Sequence, residues 1–293
     1  MSRCAGVVAP PAERRSNTLN PVTDPAGVPG SQIPAAAGFR LTLSSDDNIA
    51  TITLNQPDIR NAQNPLTWAW LLRSINDLPG TVRVLMLRGE GPSFSAGLDR
   101  RLLTADGVHG ATRPADLAAM SSEQAGAEIA GYQQAFGALA RPGLVSIAAV
   151  QGHAVGAGFQ LALACDLRLA AEDAQFTMAE VSLGLVPDLG GTKRLVELVG
   201  YSRAAAICLT GRRVGAAEAL RIGLVNEVLP TAGLAAAAQA WAEQILALPR
   251  SAVIEIKALL LAAADRGQDE QERAEREAQH RQLRELTGIE HEQ

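Results

Sequence analysis

The sequence predicts an α/β fold, and three observations carry that prediction. Short runs of β-branched and aliphatic residues alternate with helical patterns through most of the chain. Residues 145–161, VSIAAVQGHAVGAGFQL, read as a buried strand, a glycine turn and a helix. From Ala232 to about Leu286 the pattern is helical, broken near Pro249 and Gly267.

Residues 1–37 hold six of the fifteen prolines, mixed with Ser, Thr, Ala and Gly, and show no period. They read as a disordered tail. Phe39 to Leu43 and Ile49 to Leu54 read as two strands joined by the polar turn Ser45-Asp46-Asp47-Asn48. Asn64-Pro65 opens a helix, with asparagine as N-cap and proline at the first helical position. Leu66, Trp70, Leu71 and Ile75 form its expected apolar face. Val82 to Leu87 is the next strand. Residues 105–118 read as a loop and Ala119 to Ala140 as one long helix. Asp166 to Ala170 is a strand, 174–180 a short extended piece, 181–192 a glycine-punctuated loop, and Leu224 to Leu229 a last strand. These elements divide the chain into the tail, a core over 38–230 and a helical region over 231–293.

Composition narrows the function. With 293 residues and 47% hydrophobic content, a sizeable core is available. A net charge of −5 gives no footprint for a nucleic-acid partner or an anionic membrane surface. No apolar run reaches transmembrane length. Three scattered cysteines and four scattered histidines form neither a disulfide framework nor a metal-ligand pattern. A cytoplasmic protein without metal or bound cofactor is expected.

Backbone N–H groups at a helix start lack intrahelical partners and sit at the positive end of the helix dipole. Small residues at 156–158 leave such groups uncovered, which makes this turn a candidate anion or oxyanion site. Tight helix–sheet packing without a ligand also accounts for it. A dinucleotide-binding G-x-G-x-x-G is broken here by Leu161. Ser95-Ala96-Gly97 repeats the small-residue theme at a second strand-to-helix transition, where Asp99 fits as a helix cap.

Taken together, Phe94-Ser95-Ala96-Gly97-Leu98-Asp99, residues 148–158 (AAVQGHAVGAG), Cys165-Asp166, Ala174-Gln175-Phe176 and residues 185–195 (LVPDLGGTKRL) resemble the enoyl-CoA hydratase/isomerase (crotonase) superfamily. Thr210-Gly211-Arg212, residues 216–219 and Gly223-Leu224-Val225 continue the match, which spans about 38–265. The resemblance implies a spiral of β-β-α repeats and a C-terminal helical region that packs across a homotrimer or dimer of trimers. It implies an acyl-CoA thioester substrate, with coenzyme A as part of that substrate, and fatty-acid metabolism of the β-oxidation type. The N–H groups of Leu98 and Ala157 would hold the thioester oxygen. Arg60, Ala62, Ala96, Gly97, Asp99, Arg100 and Gly156 are the expected CoA contacts, and Lys257 a further candidate for a neighbouring subunit's CoA.

The acids then decide the reaction. Hydratases of the family carry two glutamates, at positions 160 and 180 of this chain. Glu180 is present and Gln160 replaces the other. An amide cannot take and return a proton at neutral pH. Moving a double bond needs one base, and Glu180 supplies it. Asp188 lies eight residues further on, the spacing of the paired acids in dienoyl-CoA isomerases, although those enzymes place an aspartate at position 160. A double-bond isomerase is therefore the expected activity. A hydratase, or a non-catalytic acyl-CoA binding protein, stays open beside it.

Overall fold

The computed structural model describes residues 38–44 and 46–288. The expected tail over 1–37 lies outside them, as does Ser45.

A six-stranded sheet forms the centre: β1 (Phe39–Leu43), β2 (Ile49–Leu54), β3 (Val84–Gly89), β4 (Val145–Val150), β6 (Leu167–Ala171) and β9 (Glu227–Leu229), adjacent in that order. β1 runs antiparallel to β2, and every other pair is parallel. A second sheet joins β5 (His153–Val155), β7 (Gln175–Thr177) and β8 (Arg213–Gly215). The parallel strands are buried on both faces, as near-continuous aliphatic runs require. Ile49, Val84, Ile147, Ala149, Leu169 and Ala171 pack against α8 (Leu234–Leu246) through Leu234, Ala238 and Ala242. The alternate residues Ala50, Ile52, Leu85, Leu87, Ala148 and Val150 are equally buried. Arg83 closes the C-terminal end of α8 by donating to the carbonyls of Leu246 and Leu248.

Several sequence expectations are corrected. Beyond the expected boundary at residue 230, α8 packs on the core, and α9 (Arg250–Ala263) and α10 (Gln268–Thr287) follow it. The long helix expected over 119–140 is two helices, α2 (Pro114–Ala119) and α3 (Ser122–Gly137). Ser121 accepts from Gln124 N while Gln124 accepts from Ser121 N, so a capping box starts a new helix there. The loop expected over 105–118 accordingly ends at Pro114. In α1 (Pro65–Asn76), Asn64 caps as expected, but Leu66 is exposed and Trp68 takes its place on the inner face. The last strand is only Glu227–Leu229. Lys257 does not reach outward: it is buried, pairs with Asp166 at 2.7 Å and donates to Leu144 O, tying α9 to the base of β4.

Candidate active site

The two small-residue turns are held against each other by main-chain hydrogen bonds. Ser95 N donates to His153 O and Val155 N donates to Ser95 O, so residues 93–98 add to the edge of β5. From the other side, Gln63 N donates to Gly97 O and Asp99 N to Gln63 O, each at 2.7 Å. Glycine is required at the crossing. Gly97 has φ +81°, and a Cβ there would lie 2.3 Å from Val155 O. A Cβ on Gly158 would lie 2.7 Å from the Ser95 side chain.

This lattice leaves donors over in both turns. Among the described residues, the N–H groups of Leu98 and of Ala157, the first residue of α4 (Ala157–Ala164), have no acceptor. The Cβ position of Gly97 is 3.4 Å from Ala157 N, which sets the two turns in contact. Leu98 and Ala157 line one cavity of about 290 Å³. Ala96, Arg100, Gly156, Gln160, Glu180 and Asp188 line it too, whereas Arg60, Ala62, Gly97 and Asp99 do not.

Glu180 opens a 3-10 turn (Glu180–Leu183) that follows β7. Its carboxylate sits beside Gly156: a Cβ there would lie 3.3 Å from Oε1. Oε1 accepts from Gln160 Nε2 at 2.7 Å, and Oε2 is buried without a partner. Burial raises the Glu180 pKa; the charge of Asp188 adds to this, and the bond from Gln160 opposes it. Among the described residues no ion pair involves Glu180.

Gln160 is 1% exposed and fully committed at its carbonyl, which accepts from Leu189 N at 3.0 Å and Gly191 N at 3.2 Å. Those bonds fix the amide so that its NH₂ faces Glu180. Asp188 does not cap α5 (Gly191–Val199); the cap is Gly190 in the left-handed region. The Asp188 carboxyl is half-buried in the cavity, with its pKa raised by burial. Gln133 of α3 fixes this turn by donating to Asp188 O.

The expected CoA contacts are placed unevenly. Arg100 is exposed at the cavity wall. Arg60 is exposed on the turn whose carbonyl accepts from Ala96 N at 2.8 Å, and Ala62 is half-buried beside it. The Asp99 carboxylate caps its own 3-10 turn and pairs with Arg101, so its oxygens are taken.

Sequence reasoning missed the opposite wall. Tyr132 and Thr112 line the cavity, and both donate to Glu128 Oε1, at 2.9 and 3.2 Å. The i, i+4 spacing of Glu128, Tyr132 and Phe136 on one helix was the available signal. No group of His, Cys, Asp or Glu with metal-binding geometry occurs among the described residues. No described helix is long and apolar enough to cross a membrane.

Comparisons with known proteins point to one family. The family model described as enoyl-CoA hydratase/isomerase matches residues 44–289. A crotonyl-CoA hydratase of Syntrophomonas wolfei is 36% identical over 64% of this chain and 68% of its own length. A human mitochondrial Delta(3,5)-Delta(2,4)-dienoyl-CoA isomerase is 33% identical over 64% of this chain and 57% of its own. A Thermobifida fusca protein, provisionally described as an enoyl-CoA hydratase and solved with acetoacetyl-CoA, superposes with a TM-score of 0.81. It is 46% identical, over 86% of this chain and 96% of that one. Hydratases predominate among the named relatives, which weighs against the isomerase expected from the acids.

Proposed function

The chain belongs to the enoyl-CoA hydratase/isomerase family, as an acyl-CoA enzyme of that family, and we propose that Glu180 is its proton carrier. One observation carries this reading. A buried, unpartnered carboxylate oxygen lies beside the helix start that presents a free N–H, and a second residue with a free N–H, Leu98, lines the same cavity. In this reading the N–H groups of Leu98 and Ala157 hold the thioester oxygen. Charge that reaches this oxygen as an enolate is then met by preorganised donors, worth about 10²–10³ in rate for each. Arg100 and Arg60 suit the CoA phosphates, with Ala62, Ala96, Gly97 and Gly156 offering main chain along the way. A cytoplasmic location and a trimer or dimer of trimers belong to the same reading.

Two reactions share that enolate. The named relatives favour hydration of a 2-enoyl-CoA. Glu180 takes a proton from water while the water oxygen bonds to C3 and the C2=C3 electrons move to the thioester oxygen. Protonated Glu180 then delivers that proton to C2. The acids favour a shift instead: Glu180 removes a proton from C2 of a 3-enoyl-CoA and returns one to C4. The amide of Gln160, whose carbonyl is already filled, supports this second reading.

Assays of 2-enoyl-, 3-enoyl- and 3,5-dienoyl-CoA separate them. Hydration predicts loss of the conjugated enoyl thioester absorbance with crotonyl-CoA and accumulation of the 3-hydroxyacyl product. A conjugated product formed from the 3-enoyl or 3,5-dienoyl substrate, without hydration of crotonyl-CoA, would establish the shift. Tight binding of acyl-CoA without turnover of any of the three would make the chain a binding protein.

A further inference from the structure

The wall of the cavity formed by the segment before α2, by α2 and α3 and by the turn before α5 is mostly apolar, through Pro114, Leu117, Ile129 and Val186, and its three polar side chains, Thr112, Tyr132 and Asp188, share one sense. Tyr132 is 9% exposed and Thr112 is half-buried, yet both hydroxyl protons are spent on Glu128 Oε1. What the two hydroxyls have left for a ligand is lone pairs. Asp188 adds carboxylate oxygens on the same side, with no ion-pair partner among the described residues. Burial chiefly pushes the Tyr132 phenol up to about 12; a hydrogen bond with Thr112 opposes this, and Glu128 and, least, the charge of Asp188 add to it. Among the residues lining the cavity Arg100 is the sole cation, and it sits beside Leu98 on the turn that carries the oxyanion donor.

We propose that this wall selects an acyl group carrying an uncharged hydrogen-bond donor, such as a hydroxyl, and rejects one ending in a carboxylate. A hydroxyl on the acyl chain can give its proton to Tyr132 Oη, Thr112 Oγ1 or Asp188. A plain alkyl end leaves these acceptors without a partner as water is displaced. A carboxylate meets lone pairs and negative charge with no cation to offset them, and loses its hydration as well. The proposal rests on the acyl-CoA reading above and adds to it the chemical class of the acyl group.

Binding of saturated, unreactive thioesters tests this without any turnover. Hexanoyl-CoA, ω-hydroxyhexanoyl-CoA and adipoyl-CoA, with their octanoyl counterparts to cover chain length, are titrated by calorimetry. The hydroxyl compound of the better-fitting length should bind about five- to tenfold tighter than the alkyl one, and the carboxylate at least about tenfold weaker. Tyr132→Phe and Thr112→Val together should shrink the hydroxyl preference to below about twofold, with Asp188 left as acceptor, and hexanoyl-CoA should bind more tightly than to the wild type; an unchanged hydroxyl preference would count against the proposal. Equal affinities at both lengths, or a preference for the carboxylate, would overturn the proposal and leave the acyl-CoA reading standing. Failure of every thioester to bind would overturn both.

Discussion

Replacing Glu180 by glutamine is expected to lower kcat by about 10³-fold, within the usual range for loss of a general base. Binding of an unreactive acyl-CoA should change little, because the proposed hold on the thioester is main chain. The pH profile gives a second signature. Burial raises the Glu180 pKa, so the base is ionised, and activity full, only above a value higher than that of an ordinary glutamate. The wild-type acid limb of kcat/KM should therefore lie above the normal carboxylate range and be absent from the residual rate of Glu180→Gln. Stability should move the opposite way. A carboxyl whose folded-state pKa is raised binds its proton more tightly in the folded chain than in the unfolded one. The native state is thus fully stabilised at low pH, and it loses stability as pH rises from the unfolded through the folded pKa. Thermal unfolding of Glu180→Gln relative to wild type should accordingly look most favourable at neutral pH, with the difference closing on acidification. A variant with wild-type kcat would remove Glu180 from the chemistry.

The second large effect is expected from Gln160→Glu. The new carboxylate can still accept from Leu189 N and Gly191 N, so the turn before α5 should keep its place. Its other oxygen would replace an N–H donor 2.7 Å from Glu180 Oε1. Two carboxylates at that distance cannot both ionise and would share a proton. The acid limb of kcat/KM should move to higher pH, and any double-bond shift at neutral pH should fall about tenfold. Any hydration of crotonyl-CoA should rise relative to that shift, because a second group can now take a proton from water. An unchanged pH profile would show that Gln160 and Glu180 do not touch in solution.

Much of this site was legible because its parts are local. The glycines at 97 and 158 are where two backbones cross too closely for a Cβ, Gly156 has φ +52° beside the Glu180 carboxylate, and small residues in two turns are visible in any sequence. The strands β1, β2 and β4 follow their aliphatic runs, and Asn64-Pro65 starts its helix as its chemistry requires. What escaped depends on groups far apart in the chain. Position 160 was readable as lacking an acid, but not that its carbonyl would be filled by N–H groups about thirty residues later. Asp188 fits a helix cap by type, and only the conformation of Gly190 frees it for the cavity. Tyr132 stands near Asp188 because α3 meets the turn before α5, where Gln133 donates to Asp188 O, a contact that no local pattern encodes. The break at Ser121 is a different case: Ser121 and Gln124 announce it, and the alanine-rich flanks hid it.

The most direct test is a crystal structure of the protein with a bound unreactive acyl-CoA. The thioester oxygen should lie about 2.7–3.1 Å from both Leu98 N and Ala157 N, with the Glu180 carboxylate against the carbon next to the thioester. A thioester oxygen bound elsewhere, or a Glu180 side chain turned away from that carbon, would contradict the account.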